Sequence, residues 1–549
     1  MTVTPPRATD GAPAVPERVP AARTAVESAA IAPPTSRFLA KATLVTVVLT
    51  AVGSLLGLGR DQALSYLFGA GPETDAFLVA WTVPEFAATL LIEDGLAIVL
   101  VPMISVAVIR RARGAAGDPV RSVVATTLPR LSLAFMAAAA LLIVGAPYVV
   151  RAVSPGLPSP ELAVDCTRLT STCVFTFGLA GYCSAALRAH RRFMAPAAIY
   201  VAYNAAIITT MFVLDGRAGV RAAAIGVAIG GGLMVLVQLP SLLRELRRKS
   251  APVVDVPEEP ERPMDLALVS SVLLFGLCRQ SQVLIERFLG STLPAGAISH
   301  LNYAQKVAQI PMTFSLMLCT VTFPIVAQAL AEDDAERARG RVEKDMALVS
   351  CIVLFGAAVI VACAPQITEC LFQRGAFTAH DTAATAAVMR VYALGLLGHA
   401  MVGALIRTYF STRRPSWYPL AAMVTGIVVT SWLGAASVGG WGVLGIAAAN
   451  AAGITVTALL LLWGVAGRGV PIRIRQVALE MSKPVRAAVL AAAVGMFCAS
   501  RVDSSLAGLA VGSAVVTVVF VVSARALGAF GFTPALHSVT RRLPYVRNR

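Results

Sequence analysis

The sequence predicts an all-α polytopic membrane protein: about fourteen transmembrane helices in two pseudo-symmetric six-helix lobes, plus two C-terminal helices. Three observations predict it: an apolar composition, the recurrence of spanning-length apolar runs, and landmarks repeated across a polar break. The 549 residues are 57% hydrophobic and only 14% charged, with a mean hydropathy of +0.74. Soluble domains run at about 45–50% apolar and about 25% charged. The composition therefore excludes a soluble enzyme, a disordered chain and a nucleic-acid module, and leaves no polar mass for a large extramembrane domain.

The formal net charge is +16. The charges fall in short loops between apolar runs, which is the pattern of topology signals and not of a nucleic-acid footprint. Five lysines against 41 arginines suggest a GC-rich bacterial genome. The nine cysteines lie in or beside apolar runs without CxxC spacing. They read as packed or lipid-facing thiols, with no disulfide framework and no metal site.

Residues 1–36 are rich in Pro, Ala and Thr and read as a disordered cytoplasmic tail. From Phe38 onward, runs long enough to span recur at 38–59, 75–108, 124–150, 162–188, 194–214, 219–245, 265–289, 295–330, 345–372, 382–410, 416–438, 441–466, 484–500 and 504–526; about 20 residues suffice for each. The second and eighth are long and contain Pro84 and Pro311, so both are expected to bend. Alternate loops carry most of the arginines. One side holds Arg110, Arg111, Arg113, Arg121, Arg188, Arg191, Arg192, Arg244, Arg247, Arg248, Lys249, Arg413, Arg414, Arg473, Arg475, Arg541 and Arg542. The opposite loops offer little beyond Arg60, Arg151, Arg217, Arg374 and Arg501. The positive-inside rule then puts both termini in the cytoplasm.

The stretch KSAPVVDVPEEPERP at 249–263 is the longest polar break. Landmarks recur across it: Arg60 precedes Pro84, and Arg287 precedes Pro311, by the same 24 residues. Ala146-Pro147 matches Ala364-Pro365, and Arg188 matches Arg407. The implied organisation is an N-terminal lobe at 37–246, a cytoplasmic linker at 247–263, a C-terminal lobe at 264–466, two further helices within 467–526 and a basic cytoplasmic tail at 527–549. Parallel repeats of this kind are a transporter design.

No lysine follows a glycine, so no P-loop is present; HExxH and GxSxG are also absent, and the five histidines are scattered. A secondary transporter is expected, not an enzyme. It needs no cofactor and is driven by a coupling ion or the membrane potential. Its informative residues are ionisable groups in or at the ends of spans, each costing roughly 2.5–3.5 kcal/mol at a helix centre. Arg60, Asp61, Asp75, Glu85, Glu93 and Asp94 lie in the first half, and Arg279, Glu286, Arg287 and Lys306 in the second. Arg60, Asp61, Asp75, Glu93, Arg279, Glu286, Arg287 and Lys306 are taken as a substrate-binding cavity. The competing reading for those near helix ends is interfacial anchoring by snorkelling. Within the cavity, Arg60, Arg279 and Lys306 are expected to bind a pyrophosphate, with Asp75 and Glu93 balancing charge when it is empty. Composition alone leaves open a multidrug exporter or an ion-coupled solute carrier.

Three segments carry a resemblance. LGLGRDQALSYLFGAGPETDAFLVAWTVPEF (56–86), LIERFLGSTLPAGAISHLNYAQKVAQIP (284–311) and LFQRGAFTAHDT (371–382) resemble the MurJ/MviN family of lipid II flippases, within the multidrug/oligosaccharidyl-lipid/polysaccharide exporter superfamily. The resemblance implies a V-shaped cavity of alternating access in the bacterial cell membrane. It also implies transport of a polyprenyl-pyrophosphate-linked glycan, lipid II for peptidoglycan synthesis. Membrane lipids and cell-wall synthesis proteins are the implied partners. Arg60 and Asp61 match the family's RD, Asp75 the Asp of TDAF, and Glu93 the Glu of its F-A-E-G segment. Lys306 holds a position usually Arg. Ser54, Ala88 and Thr89 stand where the family commonly has Arg, and Gln309 where it has an acid. An exporter of another lipid-linked oligosaccharide, an exporter of a secondary metabolite and a non-transporting envelope-synthesis scaffold are the alternatives.

Overall fold

The computed structural model describes residues 36–93, 95–112, 118–247, 266–316, 332, 334–410, 416–468 and 472–529. The N-terminal tail before Ser36, Asp94, Arg113, nearly all of the 247–263 linker, most of the eighth expected span beyond Leu316, Arg413 and Arg414, and the C-terminal tail after Ala529 lie outside them.

The described residues are helical throughout, with short connections and no strand. The first helix, α1, is Ser36–Phe68. The second expected span is broken into α2 (Pro72–Ala80), α3 (Thr82–Ala87), a π-helical turn (Ala88–Glu93) and α4 (Gly95–Ala112). Then follow α5 (Pro119–Val153), α6 (Pro160–Ala189), α7 (Met194–Ala218) and α8 (Arg221–Arg247). The second half opens with α9 (Leu266–Gly290) and α10 (Ala297–Ala308), a turn at Gln309 and further helix at 310–316. It continues with α11 (Ala335–Phe372), α12 (Ala379–Phe410) and α13 (Tyr418–Arg468), and the chain's described part ends with α14 (Ile474–Ala499) and α15 (Ser505–Ala526). Ten stretches among the described residues are long and apolar enough to cross a bilayer.

Both helices are interrupted next to the expected prolines, at Trp81 and at Gln309. Pro84 cannot donate to the carbonyl of Ala80, four residues back. In lipid such an orphan is costly, and here the Thr170 hydroxyl of α6 donates to it at 3.1 Å. Pro311 follows the turn at Gln309, whose N–H donates back to the carbonyl of Gln305.

Packing repeats between the halves. In the first, α1 lies on α7, α7 on α8, α8 on α6, and α6 on α5, α4 and α2. In the second, α9 lies on α13, α13 on α12, and α12 on α11 and α10. Helices α14 and α15 pack on each other and against α11.

Helix α13 covers the eleventh and twelfth expected spans and turns back on itself at Gly442 (φ 53°, ψ −130°). Its two arms meet through small residues. A Cβ on Gly426 would lie 1.9 Å from Thr457 Oγ1, and one on Gly453 would lie 1.9 Å from Thr430 Oγ1. Small residues let helix backbones approach closely in lipid, where dispersion replaces the hydrophobic drive. Five of the cysteines, Cys166, Cys173, Cys183, Cys351 and Cys363, are buried free thiols.

Gly426→Val should therefore wedge the α13 arms apart and destabilise the protein by ~1–3 kcal/mol. Gly440→Ala, where the added atom meets nothing within 4 Å, should be silent. Thermal unfolding in detergent reads the difference; equal midpoints for the two variants would refute the packing argument.

Candidate functional site

The two halves are locked together at one end of the bundle, where the loops at 69–71, 154–159, 291–296 and 373–378 meet. The Ala376 N–H donates to the Tyr66 carbonyl at 2.9 Å, and the Gln62 side chain donates to the Leu371 carbonyl at 3.1 Å. The backbone N–H of Gly156 donates to Ser291 Oγ at 3.3 Å. Two glycines make this closeness possible. Gly375 (φ 62°) would drive a Cβ to 2.2 Å from the Tyr66 carbonyl, and Gly296 (φ 95°) to 2.8 Å from that of Ala70. Both the left-handed backbone and the approach require the missing side chain.

Asp75 completes this latch. It sits in the first turn of α2, 2% exposed. Helix α10 starts at Gly296 with no side-chain cap of its own. Its free donors are met from the other half: Asp75 accepts from Gly296 N at 2.7 Å, Ser299 N at 2.8 Å and Ser299 Oγ at 2.6 Å. The carboxylate thus lies at two helix N-termini at once, where the partial positive charge of each dipole favours an anion.

Deeper in the bundle, one carboxylate of the first half holds two cations of the second. Glu85, on α3, contacts Arg287 Nη2 of α9 at 3.2 Å and Lys306 Nζ of α10 at 3.3 Å. Arg287 is 4% exposed, and its Nη1 also donates to the Thr82 hydroxyl. The Gln280 side chain donates to Thr89 Oγ1 at 3.1 Å, on the adjoining π-helical turn. A π-turn re-aims side chains by one position and is common at functional sites.

Arg60 forms a neighbouring unit. Its Nη2 and Nε contact Asp61 Oδ1 at 2.7 and 3.1 Å, and its Nη1 donates to Asn204 of α7 at 3.3 Å. The guanidinium lies 4.2 Å from the centre of the Trp81 ring, a cation–π contact worth about 2 kcal/mol when desolvated. Glu85 is close enough to act on Arg60 electrostatically.

Glu286 points elsewhere. It accepts from the Asn450 amide of α13, whose oxygen faces His399 Nε2 of α12 at 3.3 Å. Arg279 is exposed, one face of α9 away from the ion cluster, and within electrostatic reach of His399. Glu93 is exposed and accepts from the Tyr200 hydroxyl at 3.0 Å.

The eight expected cavity residues therefore divide. Arg287 and Lys306 converge on one point. Arg60 and Asp61 form an ion pair beside it. Asp75 caps a helix at the latched end, and Glu286, Arg279 and Glu93 each belong to other contacts. The structure adds Glu85 as the hub, with Thr82, Trp81, Asn204 and Asn450 as partners. Glu85 was visible in the sequence as an intramembrane acid, and the lone amides Asn204 and Asn450 as polar residues inside apolar spans. Nothing in the sequence pairs them with their partners across up to 221 residues.

The family model described as Lipid II flippase MurJ matches residues 64–520. A Burkholderia cenocepacia protein named Lipid II flippase MurJ is 26% identical over 446 residues, covering 79% of this chain and 84% of that one. A Vibrio cholerae protein named Probable lipid II flippase MurJ is 24% identical over 461 residues, with 79% and 84% covered. A solved structure described as Lipid II flippase MurJ in an inward closed conformation superposes with a TM-score of 0.71 at 19% identity, over 88% of this chain and 99% of that one. An inward-facing multidrug resistance MATE family transporter of the MOP superfamily gives 0.61 at 15% identity, over 79% and 98%.

Removing the Asp75 carboxylate should loosen the latch. Leaving a buried donor unpaired costs about 1–3 kcal/mol, and Asp75 holds three. A reporter thiol placed at Ala297, which is 3% exposed, should react with maleimide faster in Asp75→Ala than in its parent, with Asp75→Asn between them. Identical rates would show that Asp75 does not hold this end shut.

Proposed function

The chain belongs to the MurJ family of lipid II flippases, and from that premise we propose that it carries lipid II, a polyprenyl-pyrophosphate-linked glycan, from the inner to the outer leaflet by alternating access. One observation of the geometry supports this reading most. Arg287 and Lys306, cations on two helices of the second half, are brought together inside the bundle at the boundary with the first half. Arg binds phosphate through a bidentate fork and Lys as a point charge, so the pair suits a pyrophosphate presented between the lobes. Arg60 lies within electrostatic reach of the same Glu85.

The two lobes at 37–246 and 264–466 move against each other in this reading, and both termini lie in the cytoplasm. The arginine-rich ends of α4, α6 and α8 then face inward. The latched loops face outward, so the described conformation is open or occluded towards the cytoplasm. The solved relative of inward closed conformation fits the same assignment. A thiol-specific, impermeant reagent tests the orientation. A cysteine at position 255 in a cysteine-free chain should label only after the membrane is breached; labelling in intact cells would invert the topology.

Transport is driven by an ion gradient or the membrane potential, since moving one charge across 100 mV is worth about 2.3 kcal/mol. Flipping of lipid II in energised vesicles should collapse with an uncoupler. In the same assay Lys306→Ala should reduce the rate by about tenfold or more, the loss of one charge-assisted contact of roughly 1.5–3 kcal/mol, while Lys306→Arg retains most of it. A well-expressed Lys306→Ala protein flipping lipid II at the normal rate would remove the pair from the substrate site.

A further inference from the structure

The cation pair of the second half is not vacant: the first half fills it. Glu85 Oε2 lies 3.2 Å from Arg287 Nη2 and Glu85 Oε1 lies 3.3 Å from Lys306 Nζ. Among the groups in contact, one carboxylate faces two cations, a local excess of one positive charge; Glu286, beside Arg287 in the chain, is turned to Asn450. The cluster's accessible side is also defined, because the side chains of Lys306 and Glu85 are 28% and 20% exposed and that of Arg287 only 5%. An anion arriving from the accessible side meets Lys306 and Glu85 before the buried Arg287, whose contact Glu85 now occupies.

We propose that Glu85 is a built-in competitor for the pyrophosphate, displaced from Arg287 and Lys306 when substrate binds, so that binding cuts the ion pairs holding the two halves together. The inference rests on the reading of Arg287 and Lys306 as the pyrophosphate site. A diphosphate diester brings two negative charges and several acceptor oxygens to a site that one carboxylate leaves under-neutralised. It therefore wins the exchange on charge. The displaced group matters because of where it is anchored. Glu85 rides on α3 of the first half, and both its partners ride on α9 and α10 of the second. The exchange converts two inter-half contacts into contacts between substrate and one half. The contacts that remain across the boundary among the described residues include Arg287 to Thr82, Gln280 to Thr89 and the Glu85 carbonyl, and the outer latch with Asp75, Gln62, Ala376 and Gly156. Substrate binding is thereby linked to separation of the lobes, because a ligand shifts a two-state equilibrium only by what it gains in one state over the other.

The test titrates the full-length protein in nanodiscs with inorganic pyrophosphate, by calorimetry and by the fluorescence of Trp81 beside Arg60. Glu85→Gln should bind pyrophosphate about tenfold more tightly than the parent, as expected when a like charge a few ångströms away is removed from a partly buried anion site. Glu85→Asp should stay near the parent, and Glu85→Gln combined with Lys306→Ala should lose the gain. Tighter binding is a result that a misfolded variant would not give. Spin labels at Phe193 and Trp417, both exposed, on opposite halves and away from the latch, should show in ligand-free Glu85→Gln the distance shift that pyrophosphate causes in the parent. If the parent binds pyrophosphate and Glu85→Gln binds it equally or more weakly, or if the label distances ignore the substitution, Glu85 is only a structural partner and the inference is overturned while the site reading stands. If neither parent nor variant binds pyrophosphate, the reading of Arg287 and Lys306 falls and takes the inference with it.

Discussion

An ionised group inside an apolar slab must meet its opposite charge or a dense set of dipoles, and this one requirement organises the centre of the molecule. Arg287 is buried, and replacing its neighbours by apolar groups would leave it uncompensated at a cost of several kcal/mol. The chain answers by placing its carboxylate on the other half. The same holds at the latched end, where the buried Asp75 takes its donors from α10 across the boundary. Arg287 and Asp75 each take their partners from the opposite half. The halves are therefore held by electrostatics at two depths, while each is held internally by small-residue and apolar packing. That division matters for a transporter. Dispersion contacts within a lobe are indifferent to ligand, whereas ion pairs between lobes can be exchanged for contacts with a charged one.

A second requirement, that every backbone polar group in lipid find a partner, explains where the irregular backbone falls. The span from Pro72 to Ala112 is broken at Trp81 and wound into a π-turn at Ala88–Glu93. Both irregularities are covered by α6, which supplies the Thr170 hydroxyl to the orphaned Ala80 carbonyl and a bare Gly181 against the Leu91 carbonyl. A side chain at Gly181 would sit 1.8 Å from that oxygen. The break sets Thr82 and Glu85 facing α9 and α10 and turns Trp81 under Arg60.

The fold was legible because its signals are local. A run of apolar residues reports a span wherever it lies, and the repeated spacing of Arg60 to Pro84 and Arg287 to Pro311 reports the duplication without any knowledge of contacts. The site was legible in kind and not in arrangement. The cost of burying charge marks Arg60, Asp75, Arg287 and Lys306 as residues with work inside the bundle, but it does not say which finds which. Asp75 looked like a counter-ion for an empty cavity; it is a cap for a helix that begins 221 residues later. Its short spacing from the turn at Gly69–Gly71 was the signal, since an acid just inside a helix start serves N-termini well. Arg60, Arg279 and Lys306 were grouped by sign. Arg60 instead pairs with the adjacent Asp61, a partner so near in sequence that reach alone could have suggested it. Glu85 is as visible as the other intramembrane acids, but nothing local in the sequence shows that it, and not Asp75 or Glu93, stands between Arg287 and Lys306.

A carboxylate standing between two cations of an anion site has a physical basis that reaches beyond this cluster. An empty site that binds a multivalent anion inside a membrane cannot stand as bare positive charge, since the resting protein must fold and insert with the same residues. Water can fill part of the deficit, and an internal carboxylate fills more of it in a region this closely packed. The acid must be weak enough as a ligand to give way, and a single carboxylate facing two cations meets that condition: it lowers the charge without closing the site. Where the carboxylate is anchored then decides what its release does. On the same half as the cations, displacement would alter only local geometry. On the opposite half, as Glu85 is, each binding event acts on the boundary that alternating access requires to open.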